Sequence, residues 1–441
     1  MFFYMNVPFF RPSISQAELD EVLDSLKSGW LTTGPKAKRF EAEFAAYVGQ
    51  KHAVSLNSCT AALHLALEAV GVRAGDTVIV PTMTFAATAE VVRYFDATPQ
   101  FVDCQSSDFN LDVQCLARAI KRGFEQGSKI RAIIPVHYGG QIADMVGVRS
   151  LANCYGLSVI EDAAHCCPAY FLDERDKPQA LTDHPARGAE SARDHGSDIL
   201  IDVCKNVSRE NCNEGFVDWL PVGALADITC FSFYANKCIT TGEGGMACTQ
   251  RDDYAERMRI MSLHGISKDA WKRFTADGSW YYEIVAPGFK YNLTDIAASI
   301  GIHQLKRADA MHNTRRCLAA LYSSLLGGVA ELILPTEREN RKHSWHLYVV
   351  RLRLDKITID RGEVISQLKE AGVTCSVHWM PLHMHPYYRE KYGCRSSDFP
   401  IASALYKEIV TLPLYPDMTE GQVNHVAQTL LGILGRNLRR G

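Results

Sequence analysis

The sequence predicts an α/β protein: a large domain with a mostly parallel sheet between helices, followed by a smaller α+β domain. Two observations carry this. From about residue 50 to 260, short and nearly uninterrupted apolar runs alternate with helical stretches, as expected of strands covered on both faces. After about residue 265 the alternation stops and longer helices carry isolated strands between them. The 441 residues suffice for two or three domains. The expected division is an N-terminal arm and large domain over 1–265, then an interdomain helix and small domain over 266–441.

Strands are expected at 77–80, 99–103, 130–136, 157–161, 228–233 and 244–248, each a short β-branched or apolar run. Helices are expected at 60–70, 85–95, 111–122 and 144–155. Beyond them, 293–323 reads as one long helix opened by Thr294 and Asp295. A strand over 346–354, a helix over 361–371, a strand over 373–379 and a helix over 419–434 complete the small domain. Residues 171–220 interrupt the rhythm. They carry eleven acids against six bases, a balance of −5, and little to bury. They read as a surface insertion.

Bulk composition excludes several classes. A net charge of −3 gives no case for nucleic acid or an anionic membrane as partner. No run of about 18 uncharged apolar residues appears, so no membrane span is expected. The apolar start, Met1 to Phe10, lacks a basic leader and a cleavage site and reads as a mature arm. Fourteen scattered cysteines in so long a chain favour a reduced, cytoplasmic protein over a disulfide framework. Cys166, Cys167, Cys204 and Cys212 with His165 have the wrong spacing for structural zinc, and no metal is expected.

The chemistry centres on Lys237. It follows the apolar strand ending near Phe233 and precedes the Gly- and Thr-rich loop Thr240-Thr241-Gly242-Glu243-Gly244-Gly245. A lysine beside glycines is usually a solvated turn residue. Asp162 changes that reading, because it closes a second apolar strand, Leu157 to Glu161. In a parallel sheet both lie at carboxyl ends, where ligands bind. A desolvated lysine can form a Schiff base with a carbonyl cofactor. A buried carboxylate can hold a pyridine nitrogen protonated, which is what pyridoxal phosphate requires.

Around this pair stand further candidates, each with a plainer reading. Asn57-Ser58-Cys59-Thr60 opens a helix whose free N–H groups suit a phosphate, or it is a simple cap. Phe85 could lie flat on a cofactor ring, or be a core phenylalanine. Of Glu161 and Asp162, Asp162 is preferred as cofactor ligand because it lies nearest the strand tip. His165 could reach the cofactor's phenolic oxygen, or be structural. Ser232 could add its hydroxyl to a phosphate shell. Asn292 sits in the turn before Thr294 and could reach a phosphate, or be an ordinary turn residue.

Taken in order, these segments resemble the DegT/DnrJ/EryC1/StrS family of pyridoxal phosphate-dependent sugar aminotransferases, of fold type I. The likeness includes Gly29 to Pro35, Pro81 to Thr88, Ile134 to Gln141, Glu161 to His165, the lysine segment, Tyr291 to Asp295, Val377-His378-Trp379 and Leu412 to Pro416. The resemblance implies that Lys237 carries the cofactor, that Asp162 is the pyridinium partner and that His165 neighbours the phenolic oxygen. Cys59, Thr60 and Ser232 match phosphate positions, and Thr33 and His378 match substrate positions. Asn292 matches a residue that serves the other subunit's phosphate, implying a homodimer with shared sites. The implied substrates are a nucleotide-linked keto-sugar and glutamate as amino donor. The segment His264 to Trp271 and Pro386 to Glu390 suggest attack at C4 of a UDP-sugar. A sugar dehydratase of the same fold would carry histidine in place of Lys237. A regulatory or scaffold relative would need none of the Lys/Asp/Ser/Asn set. The family joins the Asp and Lys strands by a short hairpin, whereas about 45 extra residues are expected here.

Overall fold

The computed structural model describes residues 5–173, 219–266 and 282–439. The acidic insertion is therefore seen only at its two ends, and most of the segment His264–Trp271 lies outside the described residues.

Among the described residues nine strands precede residue 250: β1 His52–Leu56, β2 Asp76–Pro81, β3 Thr98–Val102, β4 Lys129–Ile133, β5 Ser158–Asp162, β6 Tyr170–Leu172, β7 Trp219–Pro221, β8 Ile228–Ser232 and β9 Gly245–Thr249. Seven of them form one sheet in the order β1-β9-β8-β5-β4-β2-β3. The pairs of β2, β3, β4, β5 and β8 are parallel, while β9 runs antiparallel to both β8 and β1. This is the mostly parallel sheet that the apolar strands imply.

Alternation along each strand separates two cores. Ile79, Ile133, Val159 and Phe231 face one layer, with Phe40, Leu116, Ile120, Val148 and Ile302 from helices Pro35–Tyr47, Val113–Glu125, Met145–Tyr155 and Asp295–Lys306. Val78, Val80, Ile160 and Cys230 face the other, with Leu63, Leu67, Val91 and Met258 from helices Cys59–Ala69, Ala87–Arg93 and Asp252–Ser262. The small domain has its own core, where strands β10 Leu332–Ile333, β12 Tyr348–Leu352 and β13 Ile409–Leu412 pack against helices Ala308–Leu326, Arg361–Glu370 and Glu420–Arg436. Val7 of the N-terminal arm pairs with it through backbone bonds to Gly372 and Thr374. Among the described residues no helix is long and apolar enough to cross a membrane.

Three expectations need correction. The helix expected over 293–323 is two, Asp295–Lys306 and Ala308–Leu326, with the break at Arg307. There Gln304 and Arg307 turn their side chains to the buried Glu18, at 2.8 and 2.9 Å. Burial alone would raise the Glu18 carboxyl, yet the hydrogen bonds from Ser15 and Gln304 hold it below the usual carboxylate range. The strand expected over 373–379 makes only isolated bridges, Val7 to Val373 and Ser376 to Thr411. The strand expected over 130–136 ends at Ile133. Pro135 lacks the N–H a ladder needs, and only Val136 bridges onward, to Asp162.

The insertion's ends are pinned. β6 and β7 pair antiparallel with Leu172 opposite Trp219, and β11 (Arg341–Lys342) pairs with β6. The Lys342 ammonium sits 4.3 Å from the Trp219 ring, a cation–π contact.

One close approach shapes the site. A Cβ on Gly245, at the start of β9, would lie 2.4 Å from the carbonyl carbon and oxygen of Ser58 and 2.5 Å from the nitrogen of Cys59. Backbone occupies that space, so no rotamer change can relieve the clash. Gly245→Ala should therefore displace the start of helix Cys59–Ala69. The expected cost is about 1–3 kcal/mol by denaturant unfolding, together with weakened binding of pyridoxal phosphate. Unchanged stability and binding would show that the approach is not constraining.

Candidate active site

At the carboxyl ends of β5 and β8 lies a cavity of about 410 Å³. Its walls include Cys59, Thr60, Phe85, Asp162, His165, Ser232, Lys237 and His378, all singled out in the sequence. Thr33 and Asn292 are not among the lining residues. They meet each other instead: Asn292 Nδ2 donates to Thr33 Oγ1 at 2.7 Å, and Thr33 Oγ1 donates to the Leu293 carbonyl at 2.5 Å.

Asp162 is the last residue of β5 and its side chain reaches the cavity, while the adjacent Glu161 points into the opposite core, as strand alternation requires. Thr88 Oγ1 donates to Asp162 Oδ2 at 2.8 Å, and the Ala164 N–H to Oδ1 at 3.2 Å. Burial raises the Asp162 carboxyl above its ordinary value, against the pull of these bonds and of Lys237 and His137. Such a group is poised to gain from a cationic ligand. Lys237 follows β8 by a short turn, its N–H bonded to the Tyr234 carbonyl at 2.9 Å. Burial pushes its ammonium down from the ordinary lysine range, with Cys59, Asp162 and Cys238 opposing. A depressed lysine is more often neutral and so more nucleophilic.

Ser58 caps helix Cys59–Ala69 by accepting from the Ala61 N–H at 3.0 Å. The N–H groups of Cys59 and Thr60 are left at the helix start, on the cavity wall. Of Ser58 and Thr60, then, Ser58 is the cap. On the other wall His165 Nδ1 accepts from the Gly139 N–H at 3.2 Å, which places the ring proton on Nε2. Burial, then Lys237 and three neighbouring histidines, hold His165 far below the usual imidazole range, hence neutral. Its ring stacks on Trp379 at 4.9 Å and lies 4.3 Å from His346. His378 Nδ1 is 2.9 Å from Thr411 Oγ1. Phe85 stands at the mouth, 59% exposed.

Sequence reasoning missed several wall residues, His346, Trp379, Asn236 and Glu243, and Thr88 behind Asp162. The Asp162–Thr88 contact spans 74 positions and no local pattern announces it. Two buried polar atoms near the cavity, Asn236 Oδ1 and His346 Nδ1, have no hydrogen-bond partner among the described residues.

Buried neutral histidines give a pH prediction. His64, His378 and His383 are pushed down to about 4 and His343 to about 3, each chiefly by burial. Below about pH 6.5 the unfolded chain binds a proton at each of these positions and the native protein does not. Stability from this source is full above 6.5 and is lost as pH falls toward 4. The slope should be on the order of 1 kcal/mol per pH unit for each histidine at most. Denaturant unfolding of the cofactor-free protein at pH 7 and pH 5 reads it. Equal stability at the two values would refute the buried, neutral state.

The DegT/DnrJ/EryC1/StrS aminotransferase family matches residues 12–178 and 187–431. The interior residues outside the match, 179–186, fall within the insertion expected at 171–220. MJ1066, an uncharacterized protein of Methanocaldococcus jannaschii, is 41% identical over 98% of both chains. The spore coat polysaccharide biosynthesis protein SpsC of Bacillus subtilis is 39% identical over 97% of both. Among solved structures, Spr1654 of Streptococcus pneumoniae, assigned as a sugar aminotransferase, has a TM-score of 0.79 at 30% identity over 98% of both chains, and is known in pyridoxal phosphate and pyridoxamine phosphate forms. DesV of S. venezuelae, solved with a ketimine intermediate, has a TM-score of 0.76 at 28% identity over 95% of this chain and 94% of that one. With a matched family across nearly its whole length and a lysine and a carboxylate facing one desolvated cavity, this chain belongs to the DegT/DnrJ/EryC1/StrS aminotransferases and is a pyridoxal phosphate-dependent sugar aminotransferase.

Proposed function

We propose that the enzyme moves an amino group from an amino acid, glutamate by family resemblance, to a keto group of a nucleotide-linked sugar, at C4 of a UDP-sugar, in the cytoplasm. The observation that carries the reading is the cavity in which Lys237 and Asp162 converge. SpsC's name places that relative in polysaccharide biosynthesis, which fits a sugar substrate.

The residues present fit the cofactor. The capped helix start offers N–H groups to a phosphate, with the Thr60 and Ser232 hydroxyls beside it. Gly245 leaves the backbone room to form that cradle. The Asp162 carboxyl suits a protonated ring nitrogen, and His165 Nε2–H can donate to a phenolic oxygen. When bound, pyridoxal phosphate supplies an electron sink for the substrate's bonding pair. Lys237 then acts as base and acid, taking the proton from the donor's α-carbon and delivering a proton to the sugar carbon that receives the amino group. Asp162 holds the proton on the ring nitrogen. Leu63, Phe85 and Trp379 keep water from the reacting centre.

A homodimer with shared sites is part of the proposal. Lys237 is the one lysine or arginine among the described lining residues, while the donor's carboxylates and a diphosphate both call for cations. Asn292 and Thr33 lie off the cavity wall of their own chain, as groups serving a neighbour would.

A panel of nucleotide keto-sugars with glutamate, scored by product mass, tests the substrate class. Amination of UDP-linked 4-keto sugars is expected. Amination of free keto-sugars alone would overturn the reading. Lys237→Ala should lose about 10²–10⁴-fold or more in rate. Mixing it with an inactive Asn292→Ala protein should restore part of the activity, because one hybrid site receives both intact residues. Full activity of Asn292→Ala, or no recovery on mixing, would rule out sharing through Asn292.

A further inference from the structure

The segment Ile134 to Gln141 stands out in the sequence, yet nothing above gives its histidine a task. We propose that His137 and Glu161 form a buried positioning pair that holds Asp162 and His165 in their working places. The inference rests on the cofactor roles just proposed for those two residues.

Both side chains are wholly buried, with His137 Nε2 3.4 Å from Glu161 Oε2. Neither carboxylate oxygen of Glu161, nor His137 Nε2 opposite them, has another hydrogen-bond partner among the described residues. A lone carboxylate in an apolar layer is costly, so its one imidazole neighbour is its natural partner. His137 Nδ1 accepts from the Ala143 N–H at 3.2 Å, which puts the ring proton on Nε2, facing Glu161.

The backbone links this pair to the cavity. The His137 N–H donates to the Asp162 carbonyl at 3.2 Å, and the Asp162 N–H to the Pro135 carbonyl at 2.9 Å. Two residues on, the Gly139 N–H fixes His165 Nδ1. The turn between has little freedom: Gly139 and Gly140 have φ of 65° and 109°. A Cβ on Gly140 would meet Ser344 Cβ at 2.9 Å and the His165 carbonyl at 3.1 Å. Glu161 and Asp162 are consecutive and face opposite sides of the sheet. Gripping Glu161 from below therefore fixes the rotation of the strand tip that carries Asp162 above. The ionisable groups around Asp162 are Lys237, His137, Cys59 and Cys230, and Cys166 and Cys230 neighbour Glu161. All but His137 stay in place in the variants below.

The test uses full-length, cofactor-loaded protein. The pH midpoint of the cofactor's long-wavelength absorbance is measured in Glu161→Gln, His137→Gln and the double variant. Each single change should move the midpoint by about half a pH unit or more, roughly a threefold change in equilibrium. The double variant should move it no further, because a pair acts as one unit. Affinity of the cofactor-free variants for pyridoxal phosphate should weaken in parallel. A merely structural pair would lower the melting temperature and leave midpoint and affinity unchanged, which overturns the proposal. Additive shifts, or a shift in one single variant alone, also overturn it. Should neither variant fold, nitrogen NMR of the wild-type histidines decides: His137 protonated on Nε2 supports the pair, and on Nδ1 sinks it. A wild-type protein without the long-wavelength band would instead sink the cofactor roles themselves.

Discussion

The site depends on the pairing of β5 with β8. Asp162 lies opposite Cys230 in that parallel ladder, and the Ala163 N–H continues it to the Cys230 carbonyl at 2.8 Å. Two strands separated by more than sixty residues of chain thus end side by side. Each delivers one chemical group to the same small volume. A one-residue slip in either would turn Asp162 or Ser232 into the opposite core. Both flanking cores resist that slip, because Val159 and Ile160 belong to different layers and each is wholly buried.

Burial then does the electrostatic tuning. A carboxyl raised and an amine lowered by the same desolvated space are each held away from the charge state they would prefer in water. A ligand that brings a pyridinium proton and a carbonyl relieves both at once. The surrounding histidines His165 and His346 stay neutral for the same reason, so they add no charge to the cavity.

Much of this was legible in the sequence, and the parts that were not share a physical cause. Strands β2, β3, β5, β8 and β9 announce themselves because a sheet buried on both faces needs continuous apolar runs. Asp162 and Lys237 are legible because a charged residue at the end of such a run is out of place unless it has work to do. The break at Arg307 was illegible, since it coincides with contacts to Glu18 nearly 290 positions away. His346 and Trp379 were invisible as wall residues for a related reason: tertiary packing alone brings them to the cavity. β6 and β7 are three residues each, too short for any periodic signal.

Those two short strands have a consequence of their own. Leu172 and Trp219 face each other across a ladder, and Lys342 covers the pair. The two ends of the stretch between them are therefore held side by side. Extra length between these residues changes no distance elsewhere, and the entropy of closing such a loop rises only with the logarithm of its length. This gateway lets the enclosed stretch gain, lose or exchange residues over evolutionary time while Asp162 and Lys237 keep their registry. Two members of the lineage could thus differ widely there and still perform one chemistry.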